Sequence, residues 1–298
     1  MSKWSGKTKG GVFGYNFFIF LIKNTNIKIV YFFLKIVACY FLIFSDKKSI
    51  KFYFSQIHGY NGFKLVKSIY KNYVLLGEVL TDKIAFMVKP DNIFTFDYEG
   101  ENYLKQIAGE GKGGMLIGAH MGNWEIAGNL LERINVKVNI VLLDAEHQKI
   151  KTILETHKIV RKFNVISIKD DYSHLYKIKE AFENKEFVVM HGDRYVEGTA
   201  TVTVDFMGKP AKFSSGPLYI ASKNKVPVSF VYTLKEKSLH YHFYASKPRV
   251  FEYPSNLKRR KQDIENMVRI YVSDLEKMVR KYPDQWFNYF KYWEDENI

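Results

Sequence analysis

A chain of 298 residues with a single cysteine excludes a disulfide-stabilised fold and any zinc site built from several cysteines. The hydrophobic content of 47% is ample for a buried core, and the net charge of +14 implies an anionic partner. Half of that charge, a net +7 from eight lysines and Asp46, falls within residues 1–50, the most apolar part of the chain. Basic charge beside apolar sequence favours a membrane surface over nucleic acid as the partner.

Two apolar stretches, residues 11–22 and 29–44, lie near the N-terminus. As a helix the second would reach about 24 Å, short of the roughly 30 Å hydrocarbon core of a bilayer, and Lys35 interrupts it. We therefore expect residues 1–48 to form a membrane-anchoring segment that lies in the bilayer surface or partly crosses it. A pair of core helices is the alternative, since the cores of soluble proteins produce similar runs.

Residues 49–298 are predicted to form one α/β domain. Apolar residues at helical spacing cover residues 50–90, and beyond Pro90 short apolar runs alternate with amphipathic segments. The predicted strands are 115–118, 136–143, 165–168, 187–190, 201–206, 228–234 and 240–244, and the predicted helices are 124–133, 148–163, 174–182 and 265–281. This alternation favours a mainly parallel central sheet flanked by helices.

The strongest chemical signal is Gly-Ala-His-Met-Gly-Asn-Trp-Glu at residues 118–125, between a predicted strand and a predicted helix. Active sites of open α/β sheets lie outside the carboxyl ends of the strands. We expect a tight turn at Gly122 to bring the Glu125 carboxylate within hydrogen-bond reach of the His120 imidazole. The carboxylate would fix the tautomer of His120, whose other nitrogen could then take a proton from an attacking hydroxyl. A structural histidine and a glutamate that only complements the helix dipole are the alternatives.

Residues 118–125 resemble the His-x4-Asp/Glu motif of the bacterial lipid A late acyltransferases, the lauroyl and myristoyl transferases of the wider glycerolipid acyltransferase group. Later segments resemble further blocks of that family in the same order: His-Gly-Asp-Arg at 191–194, residues 205–221, and Pro-Asp-Gln-Trp at 283–286. The second block carries Gly-Asp-Arg where the family usually has another acid, which leaves the identity of the acceptor open.

The resemblance implies transfer of a fatty acyl chain from acyl carrier protein or coenzyme A to a hydroxyl or amine of a lipid acceptor, such as a lipid A precursor. By position it makes His120 the general base and Glu125 its partner, at the cytoplasmic face of a bacterial inner membrane. Asp193 and Arg194 would line the same pocket. There Arg194 or backbone N–H groups could stabilise the oxyanion, and Arg194 could also bind a phosphate. A surface salt bridge is the alternative for Asp193 and Arg194.

Asn123, Ser214 and Ser215 are the remaining candidates for binding substrate. The two serines precede an apolar segment, so helix capping is their simplest interpretation, although the same helix end could hold a phosphate. Gly-Glu-Gly-Lys-Gly-Gly at 109–114 matches a dinucleotide-binding pattern, but it precedes a strand, so we interpret it as a loop. We predict no metal site and no bound cofactor, because a thioester substrate is already activated.

Two rival functions are compatible with parts of the sequence. One is a non-catalytic membrane lipid-binding protein, against which the intact pair of His120 and Glu125 argues. The other is an acyltransferase for a different bacterial glycolipid or aminolipid. Nucleic-acid binding is suggested by net charge alone, and the apolar N-terminus disfavours it.

Overall fold

The computed structural model describes residues 12–88, 93–143, 163–169, 171–196 and 198–293. The chain begins with helical elements, which are α1 (Val12–Asn24), α2 (Ile27–Phe44), α3 (Lys48–Phe52), a π-helical turn (Tyr53–Ile57) and α4 (Gly62–Val88). Helix α2 begins after Asn26, whose side chain accepts a hydrogen bond from the backbone N–H of Lys28. The buried residues of α2 recur every three or four positions, at Ile27, Val30, Tyr31, Leu34 and Ala38. This spacing gives α2 a single buried face, which packs against α4.

A seven-stranded sheet forms the centre of the molecule. Its strands are β1 (Thr95–Glu99), β2 (Gly114–Gly118), β3 (Val138–Leu143), β4 (Asn164–Ile168), β5 (Phe187–His191), β8 (Val228–Lys237) and β9 (His240–Ala245). In space they follow the order β1-β9-β8-β2-β5-β3-β4. All neighbouring pairs are parallel except β8 and β9, which form an antiparallel hairpin. Every residue of β2 is buried, as expected for a central strand with both faces covered.

Helices cover both faces of this sheet. They are α5 (Glu101–Glu110), α6 (Trp124–Leu130), α7 (Ser173–Glu183), α8 (Gly216–Asn224) and α9 (Arg260–Lys281). Because successive side chains of a strand point to opposite faces, Ile117 of β2 joins the core that contains Leu275 of α9. Leu116, its neighbour, joins the opposite core with Leu104 of α5. Two hydrophobic layers therefore hold the central strands in place.

A separate two-stranded hairpin, β6 (Thr201–Phe206) and β7 (Lys209–Ser214), packs against the C-terminal segment. Its turn is Met207–Gly208, and both residues have positive φ, which suits the right-handed twist of the strands. Phe206 stacks on Trp293, and the Trp293 indole N–H donates to the carbonyl of Phe206 over 3.1 Å. The hairpin thereby holds the end of the described chain at Trp293, which also pairs with Ala211 of β7 in an isolated antiparallel bridge.

The predicted fold class, a mainly parallel sheet flanked by helices, is confirmed. Strands β1 and β7 and helix α5 were not predicted. Strand β1 escaped the sequence pattern because it is a short edge strand, Thr-Phe-Asp-Tyr-Glu, without a buried apolar run. Helix α6 ends at Leu130 and continues as the 3-10 turn Leu131–Ile134. The predicted helix 148–163 lies, apart from Phe163, outside the described residues.

Candidate active site

The register of two neighbouring strands brings His120 and Asp193 together. Strands β2 and β5 pair in parallel with Gly118 opposite His191. His120 follows Gly118 by two residues, and Asp193 follows His191 by two, so both leave the sheet at its carboxyl edge. Nδ1 of His120 lies 2.8 Å from Oδ1 of Asp193. Chain topology, rather than proximity in sequence, thus gives the imidazole its carboxylate.

Asp193 is fully buried, and both of its carboxylate oxygens accept hydrogen bonds. Oδ2 accepts from the backbone N–H of His120 over 3.0 Å and from the indole N–H of Trp286 over 3.1 Å. Burial alone would raise the pKa of Asp193, but the charge and hydrogen bond of His120, together with Arg194, hold it well below its usual range. Asp193 is therefore ionised at neutral pH and accepts the Nδ1–H of His120. This leaves Nε2 as the basic nitrogen of the ring.

The turn after His120 is fixed by Gly122. Its φ of +62° lies in the left-handed region, and an added Cβ would lie 2.1 Å from the carbonyl oxygen of Thr233. The N–H of the next residue, Asn123, donates to that same oxygen over 2.7 Å. The expected tight bend is therefore present, and the close approach of β8 requires glycine there.

Backbone N–H groups of this turn are already engaged. Gly122 donates to the carbonyl of Gln285 over 3.0 Å, and Met121 donates to that of Ala119 over 2.7 Å. With the N–H groups of His120 and Asn123 also bonded inside the protein, the turn offers no spare donor at residues 120–123. The expectation that backbone N–H groups stabilise the oxyanion is therefore not supported at these residues.

The Pro-Asp-Gln-Trp segment holds the turn from the other side. Trp286 pairs with Met121 in an isolated antiparallel bridge, and the N–H of Phe287 donates to the carbonyl of His120 over 2.9 Å. The side chain of Gln285 bonds both the backbone N–H and the carbonyl of Lys235 on β8, over 2.9 and 2.8 Å. These contacts give the motif a physical role, which is to hold the turn at residues 120–123 and Asp193 against the sheet.

Glu125 does not occupy the expected position. Helix α6 begins at Trp124, and its first turn directs the Glu125 carboxylate to Lys83 of α4, with Oε2 2.7 Å from Nζ. Within the described part of the chain, the polar partners of the His120 imidazole are Asp193 and His191. The predicted contact between Glu125 and His120 is thus replaced by one from Asp193. A catalytic role for Glu125 stays a prediction.

His191 is a site residue that sequence reasoning missed. Its Nδ1 lies 3.4 Å from Nε2 of His120, and its ring meets that of Trp124 edge to face at 5.1 Å. Burial and the charge of His120 lower the pKa of His191 well below its usual value. The signal was present in the sequence, since His191 directly follows the buried run Phe-Val-Val-Met. It was missed because the functional interpretation of this segment was given to Asp193 and Arg194.

The same three side chains could in principle bind a metal ion. Ligand atoms of His120, His191 and Asp193 lie within 4.8 Å of one another. Both oxygens of Asp193 are occupied by hydrogen bonds, however, so the arrangement fits a hydrogen-bonded triad better than a coordination shell. A second group, Asp97, Glu236 and His242, lies on strands β1, β8 and β9, with both acidic residues exposed.

Arg194 and Asn123 flank this triad. The guanidinium of Arg194 donates to the carbonyl of Phe287 over 2.7 Å and lies 5.3 Å from the ring centre of Phe290. Asn123 is buried; its amide N–H donates to the carbonyl of Val79, and its oxygen accepts from the N–H of Ile126 as a cap of α6. These contacts give Asn123 a structural role, and its binding of substrate stays a prediction.

Ser214 and Ser215 lie where β7 meets α8. Ser214 Oγ accepts from the backbone N–H of Gly216, and Ser215 Oγ donates to the carbonyl of Ala200 over 3.1 Å. The expected capping at this helix start is therefore made by Ser214, while Ser215 ties the helix start to the preceding loop. Binding of substrate by these serines stays a prediction.

A narrow apolar crevice lies beside the triad, between α6 and the carboxyl ends of the central strands. It is lined by residues that include Trp124, Ala127, Ile140, Val189, His191 and Val231. Ala119 and Met121, on either side of His120 in sequence, also line it. The site thus combines a basic imidazole with an adjoining apolar wall.

The model of the bacterial lipid A biosynthesis acyltransferase family matches residues 5–294. The chain belongs to this family. It is an acyltransferase, as the resemblance of residues 118–125 and the later blocks implied. Enzymes of this family need no cofactor. No curated protein matches the chain.

Among solved structures, this acyltransferase is similar to the 1-acyl-sn-glycerophosphate acyltransferase PlsC from Thermotoga maritima. The two chains share 16% sequence identity, with a TM-score of 0.40, over 88% of this chain and 99% of the other.

Proposed function

We propose that this acyltransferase moves a fatty acyl chain from an acyl thioester, on acyl carrier protein or coenzyme A, to a hydroxyl or amine of a lipid acceptor such as a lipid A precursor. The observation that carries the proposal is the contact of His120 with ionised Asp193, which leaves Nε2 of His120 as a base at the carboxyl edge of the sheet. An imidazole that is oriented in this way by a carboxylate supports a general-base role for His120.

In the proposed reaction, Nε2 of His120 takes the proton of the acceptor hydroxyl as its oxygen attacks the thioester carbon. A C–O bond forms, the C–S bond breaks, and the proton leaves His120 for the thiolate sulfur. Asp193 stabilises the imidazolium that exists between these two transfers, because an ionised carboxylate bonded to Nδ1 favours the charged ring.

Arg194 is the residue we assign to the developing oxyanion or to a phosphate of the acceptor. Arg194 directly follows Asp193 in the chain, and its charge lowers the pKa of both His191 and Asp193. Since the N–H groups at residues 120–123 are engaged, a side-chain cation is the better candidate for this task. The apolar crevice beside His120 is the natural place for the first methylenes of the acyl chain.

The decisive test is to identify the product. Purified protein, incubated with labelled acyl-acyl carrier protein or acyl coenzyme A and a lipid extract, is expected to acylate one lipid class, and mass spectrometry of extracts from a deletion strain should show that class lacking one acyl chain. Free fatty acid as the sole labelled product would contradict the proposal, because it would indicate a hydrolase.

We also propose that residues 1–48 anchor the enzyme in the plane of an anionic membrane surface, at the cytoplasmic face of a bacterial inner membrane. Helix α2 is long and apolar enough to cross a bilayer, and 28% of it is buried. Contacts with α4 lie near both ends of α2. Tyr31 donates a hydrogen bond to Asp82, and Ser45, the residue after α2, bonds the hydroxyl of Tyr73. These contacts favour an α2 that lies in the membrane surface over one that crosses the membrane.

The opposite side of α2 is apolar and exposed. It presents residues that include Phe32, Ile36, Tyr40, Ile43 and Phe44. Lysines 23, 28, 35, 47 and 48 lie within or beside this helix and the adjoining α1. Exposed aromatic and aliphatic side chains with basic residues between them are suited to the headgroup region of anionic lipid.

Acidic residues on this side are expected to release the enzyme from membranes. Phe32 is 62% exposed and Ile43 66% exposed, so the double variant Phe32→Glu/Ile43→Glu should fold normally. It should bind phosphatidylglycerol-containing vesicles at least about a hundredfold more weakly in sedimentation assays, since each change removes an apolar contact and adds repulsion. Tyr176→Glu, at a position of α7 that is 78% exposed, is the matched control and should bind as the wild type does.

Cys39, the single cysteine, is exposed on α2 and reports the depth of the helix. A spin label on Cys39 should lie near the headgroups when vesicles are present. A label at the centre of the bilayer would contradict an anchor that lies in the surface.

A further inference from the structure

The basic nitrogen of the catalytic imidazole faces a second imidazole. Nδ1 of His120 is committed to Asp193, so the lone pair that can accept a proton is on Nε2. That atom lies 3.4 Å from Nδ1 of His191, and the two ring centres are 4.3 Å apart. The distance is slightly longer than a normal hydrogen bond, so a small movement of either ring would make one.

His191 is held as a neutral ring. Burial is the largest cause of its lowered pKa; the charges of His120 and Arg194 lower that pKa further, and Asp193 raises it. A neutral imidazole has one nitrogen that accepts and one that donates. The pair can therefore carry one extra proton, and Asp193 compensates its charge from the far side of His120.

We infer that His191 is a positioning residue whose Nδ1 accepts a hydrogen bond from Nε2–H of protonated His120, and so holds the proton between its removal from the acceptor and its delivery to the thiolate. The inference rests on the proposed function. The proton balance is unchanged, since the acceptor loses one proton and the leaving sulfur gains it. What His191 adds is a partner for the imidazolium, on the side of His120 away from Asp193.

The alternative tautomer makes the opposite prediction. If Nδ1 of His191 carried the hydrogen, it would donate to neutral His120 and stabilise the resting base instead of its protonated form. A purely structural His191, which only packs against Trp124, would affect neither form. These three cases differ in the direction in which the acidic limb of the pH–rate profile moves when His191 is replaced.

The test compares His191→Phe, which keeps an aromatic ring without nitrogens, with His191→Asn, whose side-chain oxygen can stand where Nδ1 stood. We expect His191→Phe to lower kcat about tenfold to a hundredfold, with KM for both substrates nearly unchanged. Its acidic limb should move to lower pH by about one unit. His191→Asn should recover most of kcat, and His174→Phe on α7 is the control for general loss of a histidine.

A measurement independent of turnover accompanies the kinetics. In histidine-labelled protein, the NMR titration midpoint of His120 should fall in His191→Phe and return in His191→Asn. An unchanged midpoint or one that rises would overturn the inference, as would an unaltered kcat and profile. If His191→Phe does not fold, His191→Leu takes its place. Failure of wild-type protein to transfer acyl chains would refute the proposed function alone, because the NMR titration still decides the role of His191.

Discussion

Replacing His120 with alanine is expected to lower acyl transfer by at least about 10³-fold while the protein remains folded. The variant removes the nitrogen that accepts the acceptor's proton and leaves the backbone N–H of residue 120 bonded to Asp193. It also leaves Oδ1 of Asp193 without its ring partner, so a stability loss of about 1–3 kcal/mol is expected. Steady-state transfer rates with saturating thioester measure the first effect, and thermal unfolding measures the second.

His174→Ala on α7 is the matched control, because it removes a histidine from outside the triad. It should keep wild-type turnover. Wild-type turnover in the His120→Ala variant would remove the general base from the proposed mechanism, even though the family assignment would stand.

The carboxylate that orients His120 can be identified by comparing two isosteric amides. Asp193→Asn should lower kcat by about 10³–10⁴-fold, because an amide does not hold the imidazole in the tautomer that leaves Nε2 basic. Glu125→Gln should lower kcat by less than about tenfold, since Glu125 contacts Lys83 of α4 and the His120 ring contacts Asp193. The reverse order of the two losses would restore Glu125 as the orienting residue and make the contact with Asp193 incidental.

The sequence identified both blocks that meet at the site, but it placed Glu125 rather than Asp193 beside the imidazole of His120. Glu125 was chosen because it lies five positions along the chain and a glycine turn intervenes. Asp193 was assigned to the same pocket without a specific contact. Its contact with His120 depends on β2 and β5 being neighbours with Gly118 opposite His191, and strand order is a long-range property that local spacing does not encode.

The role of the Pro-Asp-Gln-Trp segment was equally inaccessible from local pattern. Gln285 bonds to Lys235 of β8, about fifty positions earlier in the chain. Trp286 bonds to Asp193, about ninety positions earlier. The contacts therefore explain physically a motif that the sequence identified only by resemblance. By contrast, the buried strands β2, β3 and β5 were predicted nearly to the residue, because continuous apolar runs between polar segments identify strands covered on both faces.

The second large effect is expected on stability, at a buried ion cluster that joins the N-terminal helices to the sheet. Nζ of Lys235 on β8 lies 2.7 Å from Asp82 and 2.9 Å from Glu78, both on α4. Tyr31 of α2 and Tyr241 of β9 also donate to Asp82. Lys235 and Asp82 are buried, so the cluster is shielded from solvent where α2, α4 and the sheet meet.

Lys235→Met should destabilise the protein by about 3–5 kcal/mol, because it leaves the buried carboxylate of Asp82 and the half-buried carboxylate of Glu78 without their cation. For a chain of this size that corresponds to a fall in Tm of roughly 5–8 °C. Lys237→Met, two positions along the same strand and exposed, is the control and should change stability by less than about 1 kcal/mol. Differential scanning calorimetry of the three proteins measures both values.

A third variant separates the unpaired charge from lost packing. Lys235→Met/Glu78→Gln/Asp82→Asn removes the cation and both anions together, and it should recover a large part of the stability lost in Lys235→Met, since a neutral cluster has no buried charge to compensate. Recovery would mean that the ion cluster adds little net free energy of folding and acts mainly by requiring its charges to be paired. The triple variant should bind vesicles normally, because the exposed side of α2 is unchanged. Tyr241 of the cluster also accepts a hydrogen bond from Asn123 at the start of α6. The triple variant should therefore turn over more slowly than its loss of stability alone accounts for. Full stability in Lys235→Met itself would show that the carboxylates find another partner, and the cluster would then not be what joins the N-terminal helices to the sheet.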